Sequence, residues 1–287
     1  MSIETTAPLE PLEALDAASD AVTPARRPPR RSALDRIWNV QVRRGLLGIV
    51  AFFAAWEIGV LLHLPLLAKI PTPLEVATAA WGLLQQPRYY VSWIVSFRRV
   101  FVGFAIAQVL GVPLGLLMGW KTAFRSLTFP VFEVLRPIPP LAWVPLSIVF
   151  WPTPEGSITF VIFLGAFFTV LINTLAGVRA LDERYVRAAI SLGATPAVVF
   201  RRIILPGALP SIFTGMTVGM GITWSVLVAA EIIAGRNGLG YMTWEGYVAG
   251  AFPIVIVGMV SIGIAGYLSS ALVRLAGARV MPWTKRF

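Results

Sequence analysis

The chain has 287 residues, of which 57% are hydrophobic and only 13% charged, where a soluble domain carries about 25% charged residues. No single water-soluble core can hide that much apolar surface, which excludes an ordinary soluble enzyme and points to an all-α, polytopic membrane protein. The formal net charge is +10, yet the basic residues fit the cytoplasmic side of a membrane better than a nucleic-acid surface.

There is no cysteine and a single histidine, His63. Disulfides, thiolate nucleophiles and multi-histidine metal sites are therefore excluded. No Gly-rich loop ending in Lys-Ser/Thr is present, so the chain itself is not expected to bind ATP.

Residues 1–36 read as a disordered cytoplasmic tail. Five prolines fall in the first thirty residues, with acids early and arginines late. No apolar run follows a short basic start, so this is not expected to be a signal peptide. Residues 37–90 hold a first transmembrane helix, with its apolar run at 45–64, and a short outer amphipathic helix at 73–87 bracketed by Pro73 and Pro87. Residues 91–280 form the main transmembrane module, with spans expected at 100–120, 127–150, 158–178, 211–234 and 253–276. That makes six spans. The third carries Pro130, Pro137, Pro139, Pro140 and Pro145, and is expected to be broken. Residues 281–287 are a short C-terminal tail. The outer loops are too short for a ligand-binding domain.

Orientation follows from basic residues at the span ends. A cytoplasmic N-terminus places eighteen of the 24 Lys and Arg on that side. The outer side then receives Lys69, Arg88, Arg98, Arg99 and Arg236, and Arg136 falls inside the third span. Both termini are therefore expected in the cytoplasm, and the tryptophans flanking the spans (Trp38, Trp93, Trp120, Trp151 and Trp283) are expected as interface anchors.

The inner connection at 179–210 reads as two short helices. Asp182 caps the first, with Tyr185, Ala188, Ala189 and Leu192 on one face. Gly193 makes the turn, Thr195 caps the second helix, and Pro196 takes its first position. Val199, Phe200 and Ile203 form an apolar face while Arg201 and Arg202 face outward. Leu205-Pro206-Gly207 is expected to stop this helix, and Pro210 to open the next span. An amphipathic loop lying on the membrane is the plain reading; a docking element is the functional one.

The loop also resembles the "EAA" signature of ABC-importer permeases. Ala188, Ala189, Gly193, Ile203, Leu205 and Pro206 fall at the signature's spacing, and Arg187 stands where that family usually has Glu. The segment WSVLVAAEIIAGRNGLGYMTWEGY, the C-terminal MPW and the stretch RRVFVGFAIAQVLGVPLGLLMGW are similar to permeases of the nitrate, sulfonate, taurine and bicarbonate group. The resemblance covers residues 90–283. It implies a type I importer fold, with loop residues Arg187 to Pro206 inserting into a groove on a separate ATPase subunit. It also implies two such ATPase subunits holding ATP and Mg, a second permease copy in a homodimer, and a periplasmic or lipid-anchored substrate-binding protein. The location implied is the bacterial inner membrane, and the cargo a small oxoanion or organic anion. The chain would have no catalytic residue and no cofactor of its own.

Ionisable groups inside spans are costly and mark candidate function. Glu57 lies in the first span. Glu133 and Arg136 lie three residues apart in the broken third span, either as a mutual ion pair or with Arg136 drawing an anion along the route. Glu231 follows Trp224 and Ser225, and is read as a hydrogen-bonding group beside the GRNGLG turn or as a gate latch. The segment RPIPPLAWVPL, with Pro139, Pro140 and Trp143, is the gate candidate. Ser147, Thr169, Asn173, Thr217 and Thr223 line the same path or bond between helices. Gly111, Gly115, Gly119, Gly215 and Gly219 repeat at four-residue spacing and are expected to pack helices closely. A gradient-driven transporter, a lipid enzyme, and an importer of a neutral or cationic solute remain as alternatives.

Overall fold

A computed structural model describes residues 40–62 and 69–283. The N-terminal tail, Trp38, His63 and the last four residues lie outside the described residues. The chain divides into one compact unit ending at Ala55 and another from Trp56 onward.

Helix α1 spans Val40–Leu61, the first expected span. Helix α2 spans Pro73–Leu84 and starts on a capping box, in which Thr72 and Glu75 each bond the other's backbone N–H. Helix α3 spans Pro87–Trp120, α4 Thr122–Leu135, α5 Val144–Phe150, and α6 Pro154–Arg179. The loop helix α7 spans Glu183–Ser191. Helix α8 spans Pro196–Ala234, α9 Leu239–Val248, and α10 Phe252–Val280. Five helices among the described residues are long and apolar enough to cross a membrane: the Arg43–Leu61 part of α1, α3, α6, α8 and α10. The sixth expected span is broken as its prolines dictate. Helix α4 ends at Leu135, and a 3-10 turn at Pro140–Trp143 leads into the short α5.

Two expected boundaries are wrong, for the same reason. Helix α3 begins at Pro87 rather than at 100, and α8 begins at Pro196 rather than at 211. In both, a residue that should stop a helix is absorbed by it. Arg98 and Arg99 lie inside α3, not in an outer loop. Leu205-Pro206-Gly207 does not end the second loop helix. The chain opens into a π-helical turn at Phe200–Ile204, where the Leu205 N–H reaches the Phe200 carbonyl. The wider turn accommodates Pro206, which has no N–H to give, and the helix continues.

Helix α6 is the centre of the packing. It is the most buried of the apolar helices, with α3 on one side and α8 on another. The glycine stripes make this possible. A Cβ on Gly115 would stand 2.7 Å from the Leu171 carbonyl oxygen, and one on Gly119 would stand 2.5 Å from Val178 Cβ. On α8, a Cβ on Gly215 would stand 2.6 Å from Asn173 Cβ. Backbones this close gain dispersion contacts that any side chain would prevent. Trp93 is part of this core and not an interface anchor, because it stacks on Phe97 with ring centroids 5.7 Å apart.

One polar cluster ties the helices together at the Pro87 end of α3. The Arg99 side chain is 2% exposed and uses all five of its N–H donors. Its Nε donates to Glu155 Oε2 at 3.1 Å. Its Nη1 donates to Glu231 Oε1 at 2.8 Å and to the Asn237 carbonyl at 2.7 Å. Its Nη2 donates to Asn237 Oδ1 at 2.9 Å and to Glu155 Oε1. Glu231 is fully buried and also accepts from Ser96 Oγ at 2.8 Å and from the Gly240 N–H at 2.8 Å. Gly238 has φ +119°, and a Cβ there would stand 2.2 Å from Glu231 Oε1, so glycine is the residue this wall admits.

Two outcomes test this packing. Arg99→Met leaves Glu231 buried without its cation and is expected to cost about 3–5 kcal/mol in detergent unfolding. The exposed Arg98→Met is expected to cost under about 1 kcal/mol in the same assay. Gly115→Ala is expected to cost roughly 1–3 kcal/mol through overpacking, while Gly221→Ala, whose Cβ would meet nothing within 4 Å, should leave the midpoint unchanged or raise it.

Candidate functional site

The loop at 179–210 forms as its sequence dictates, except at its end. Asp182 Oδ1 accepts from the Arg184 N–H at 2.8 Å and starts α7. Gly193 turns the chain at φ +81°, a conformation that disfavours any residue with a Cβ. Pro196 takes the first position of α8. Thr195 stands at the cap position but makes no side-chain capping bond, a correction to the expected cap.

The apolar residues of the loop divide into two faces. Val199 is buried, and Ile204, Phe200, Ile203, Val186 and Ala189 pack with it into one cluster that holds the loop against the bundle. Tyr185 is 67% exposed and Leu192 88% exposed. Ala188, Gly193 and Pro196 are exposed beside them. So α7 seats one side on the bundle and offers Tyr185 and Leu192 outward. Large apolar side chains presented this way mark a contact with another protein or with the membrane. Arg201 and Arg202 are exposed as expected, while Leu205 and Pro206 are half-buried within α8.

The second region is the break in the third span. A cavity of about 250 Å³ is lined by Arg136, Pro140, Thr169, Asn173 and apolar residues of α6 and α8. Arg136 is exposed and makes no ion pair among the described residues. The expected pair with Glu133 does not form. Both residues are on helical backbone, Arg136 as the C-cap of α4, but Glu133 is exposed and Arg136 lines the cavity. Thr169 and Asn173 sit one helical turn apart on α6. Asn173 Nδ2 donates to the Thr169 carbonyl at 2.8 Å.

The other candidates lie elsewhere. Pro139 is exposed at the break. Trp143 packs against the main core with its Nε1 buried and unpartnered. Trp224 is buried against Phe97, with ring centroids 5.2 Å apart. Ser225 is exposed on α8, and its hydroxyl donates to the Gly221 carbonyl. Ser147 and Thr223 are buried in helix packing: Ser147 meets Ser157, and Thr223 bonds the Gly219 carbonyl at 2.6 Å. Glu231 is fully engaged with Arg99 and cannot act as a free carboxylate. Glu57 is half-buried with no ion pair to a described residue.

Arg99, Ser96, Glu155 and Asn237 were missed from the sequence. Tyr89, Trp93, Phe97 and Phe101 stand at four-residue spacing, Tyr89 edge-on to Trp93 and the next two pairs stacked, a helical signal that reaches back past Arg98 and Arg99.

Comparison with known proteins agrees with this architecture. The family described as "Binding-protein-dependent transport system inner membrane component" matches residues 111–286. The nitrate import permease protein NrtB of Leptolyngbya laminosa is 34% identical over 90% of this chain and 95% of its own. The taurine transport system permease protein TauC of Escherichia coli is 39% identical over 66% of this chain and 68% of its own. The bicarbonate transport system permease protein CmpB of Synechococcus elongatus is 33% identical over 78% of this chain and 84% of its own. Among solved structures, an inward-facing MetNI methionine ABC transporter matches with TM-score 0.55 and 20% identity, covering 67% of this chain and 94% of that one, which supports the fold. The chain therefore belongs to the family of binding-protein-dependent transport inner membrane components, as a multi-pass permease subunit of the nitrate, taurine and bicarbonate group of ABC importers whose ATPase is a separate subunit.

Proposed function

We propose that this permease imports a small oxoanion or organic anion, such as a sulfonate, taurine, nitrate or bicarbonate, by alternating access. It works as a homodimer with two ATPase subunits, which bind ATP and Mg, and with a substrate-binding protein. Both termini lie in the cytoplasm of a bacterial cell, on the side of the coupling loop.

The observation that carries the anion reading is Arg136. A guanidinium at the break in a span, unpaired and lining a cavity with Thr169 and Asn173, attracts an anion electrostatically. The rest of the cavity lining is mostly apolar, so Arg136 is its one charged group. Glu231, the carboxylate that would repel an anion, is neutralised by Arg99.

Coupling follows from the loop. Closure of the ATPase dimer moves the surface bearing Tyr185, Ala188 and Leu192. Helix α8 begins at the far side of Gly193 and runs from the loop into the bundle, so it carries that movement. The two states must differ in contact free energy at the loop for ATP to drive them.

Reconstituted transport tests both parts. Arg136→Gln is expected to lower anion uptake at least about tenfold, the value of one charge-assisted contact, while the protein still assembles with its ATPase. Arg136→Lys should recover part of the rate. Uptake indifferent to both changes removes the basis for an anion route at this break. Gly193→Trp should abolish substrate-stimulated ATP hydrolysis. Gly193→Ala meets open space and bears only the backbone strain of roughly 1–2 kcal/mol, so it should retain a measurable fraction of that stimulation.

A further inference from the structure

A second basic cavity lies at the other end of the bundle from the Arg99 cluster. It measures about 490 Å³ and is lined by Arg125, Arg179 and Arg187, with Glu183 and Trp120 at its edge. Three separate elements supply the guanidiniums. Arg125 comes from the first turn of α4, Arg179 from the last turn of α6, and Arg187 from α7. The base of the groove is fixed where α3 and α6 meet at Gly119 and Val178, too close for any side chain on Gly119.

None of the three arginines makes an ion pair or a side-chain hydrogen bond among the described residues. Glu183, the one acid on the lining, stands one helical turn before Arg187, yet no ion pair joins them. The groove thus carries two more positive charges than negative. Basic residues that merely anchor span ends are spread around a protein and point to separate headgroups. Here they converge on one concavity, where their mutual repulsion favours a bound counter-anion. Guanidinium forks match the oxygens of a phosphate in pairs, and several forks from different directions fit a tetrahedral oxoanion better than a planar carboxylate. Trp120, packed on Phe200 with ring centroids 4.9 Å apart and with Lys121 Nζ 4.6 Å over its ring, forms an aromatic part of the groove wall.

We propose that this groove binds a phosphate-class anion, presented either as the headgroup of an anionic lipid or as a free oxoanion. The inference is independent of the cargo and of the Arg136 route. It is tested on the solubilised full chain, where both membrane faces are accessible, so its outcome does not depend on orientation.

Binding is measured by microcalorimetry and thermal shift with inorganic phosphate, with short-chain phosphatidylglycerol, and with phosphatidylcholine as the zwitterionic control. Phosphatidylglycerol or phosphate is expected to bind and raise the melting point, and phosphatidylcholine to do neither. A response to phosphatidylglycerol alone identifies the lipid as the source; a response to phosphate identifies a free anion. Arg125→Gln and Arg187→Gln are expected to weaken the effect roughly tenfold each. Arg179→Gln combined with both should remove it. The exposed pair Arg201→Gln and Arg202→Gln, outside the groove, should leave it intact. Should the triple variant fail to fold, the two single variants carry the comparison. Equal loss in the Arg201/Arg202 variant means unspecific attraction and overturns the proposal. So does the absence of any response in the wild-type chain. A groove whose variants change only the affinity for the ATPase subunit is part of that interface, and the proposal falls.

Discussion

The buried guanidinium of Arg99 sets the terms for the rest of the bundle. A charge taken out of water among apolar helices costs several kcal/mol unless every donor is met. Here five donors find two carboxylates, an amide oxygen and a backbone carbonyl. Those acceptors come from α6, from α8 and from the turn that follows α8. Ser96, one turn before Arg99, closes the ring by accepting from the Leu239 N–H at 2.9 Å. The ends of four helices are thereby held in one arrangement. Shifting any of them strands a charge, so this end of the molecule behaves as a rigid block.

That rigidity gives the long helix α8 its mechanical meaning. It runs 39 residues from Pro196 to Ala234, about 58 Å at the usual rise. One end begins beside the turn at Gly193 and the other carries Glu231 into the Arg99 cluster. Had Leu205-Pro206-Gly207 ended a separate loop helix, movement at the loop would dissipate in a flexible joint. The π turn at Phe200–Ile204 avoids that joint, because it carries the helix past Pro206, which has no N–H to give.

What the sequence made legible was local, and what it hid was distant. The glycine stripes, the Asp182 cap, the turn at Gly193 and the broken third span are all periodic or nearest-neighbour features, and each took the form its residues dictate. The Arg99 cluster joins positions 132 residues apart, and no local pattern pairs Arg99 with Glu231. Without its partner, Arg98-Arg99 reads as a loop on charge alone, and the start of α3 is misplaced by thirteen residues. The Glu133–Arg136 reading failed in the opposite way. Three-residue spacing permits contact without enforcing it: Arg136 still has helical backbone, with its N–H on the Phe132 carbonyl, yet its side chain lines the cavity at the break.

Arg99 and Arg136 show how the same side chain serves two ends. Arg99 has every donor occupied and contributes order, whereas Arg136 lines a cavity with no side-chain hydrogen bond or ion pair among the described residues. The same distinction bears on Arg187. At 100° per residue, Arg187 points well away from Tyr185 on α7 and from Leu192, the residue that caps its end. It lines the groove behind the loop, while those two side chains are turned outward. An arginine at position 187 therefore adds to the charge of the groove, and leaves the exposed apolar face of the loop as the rest of its sequence defines it.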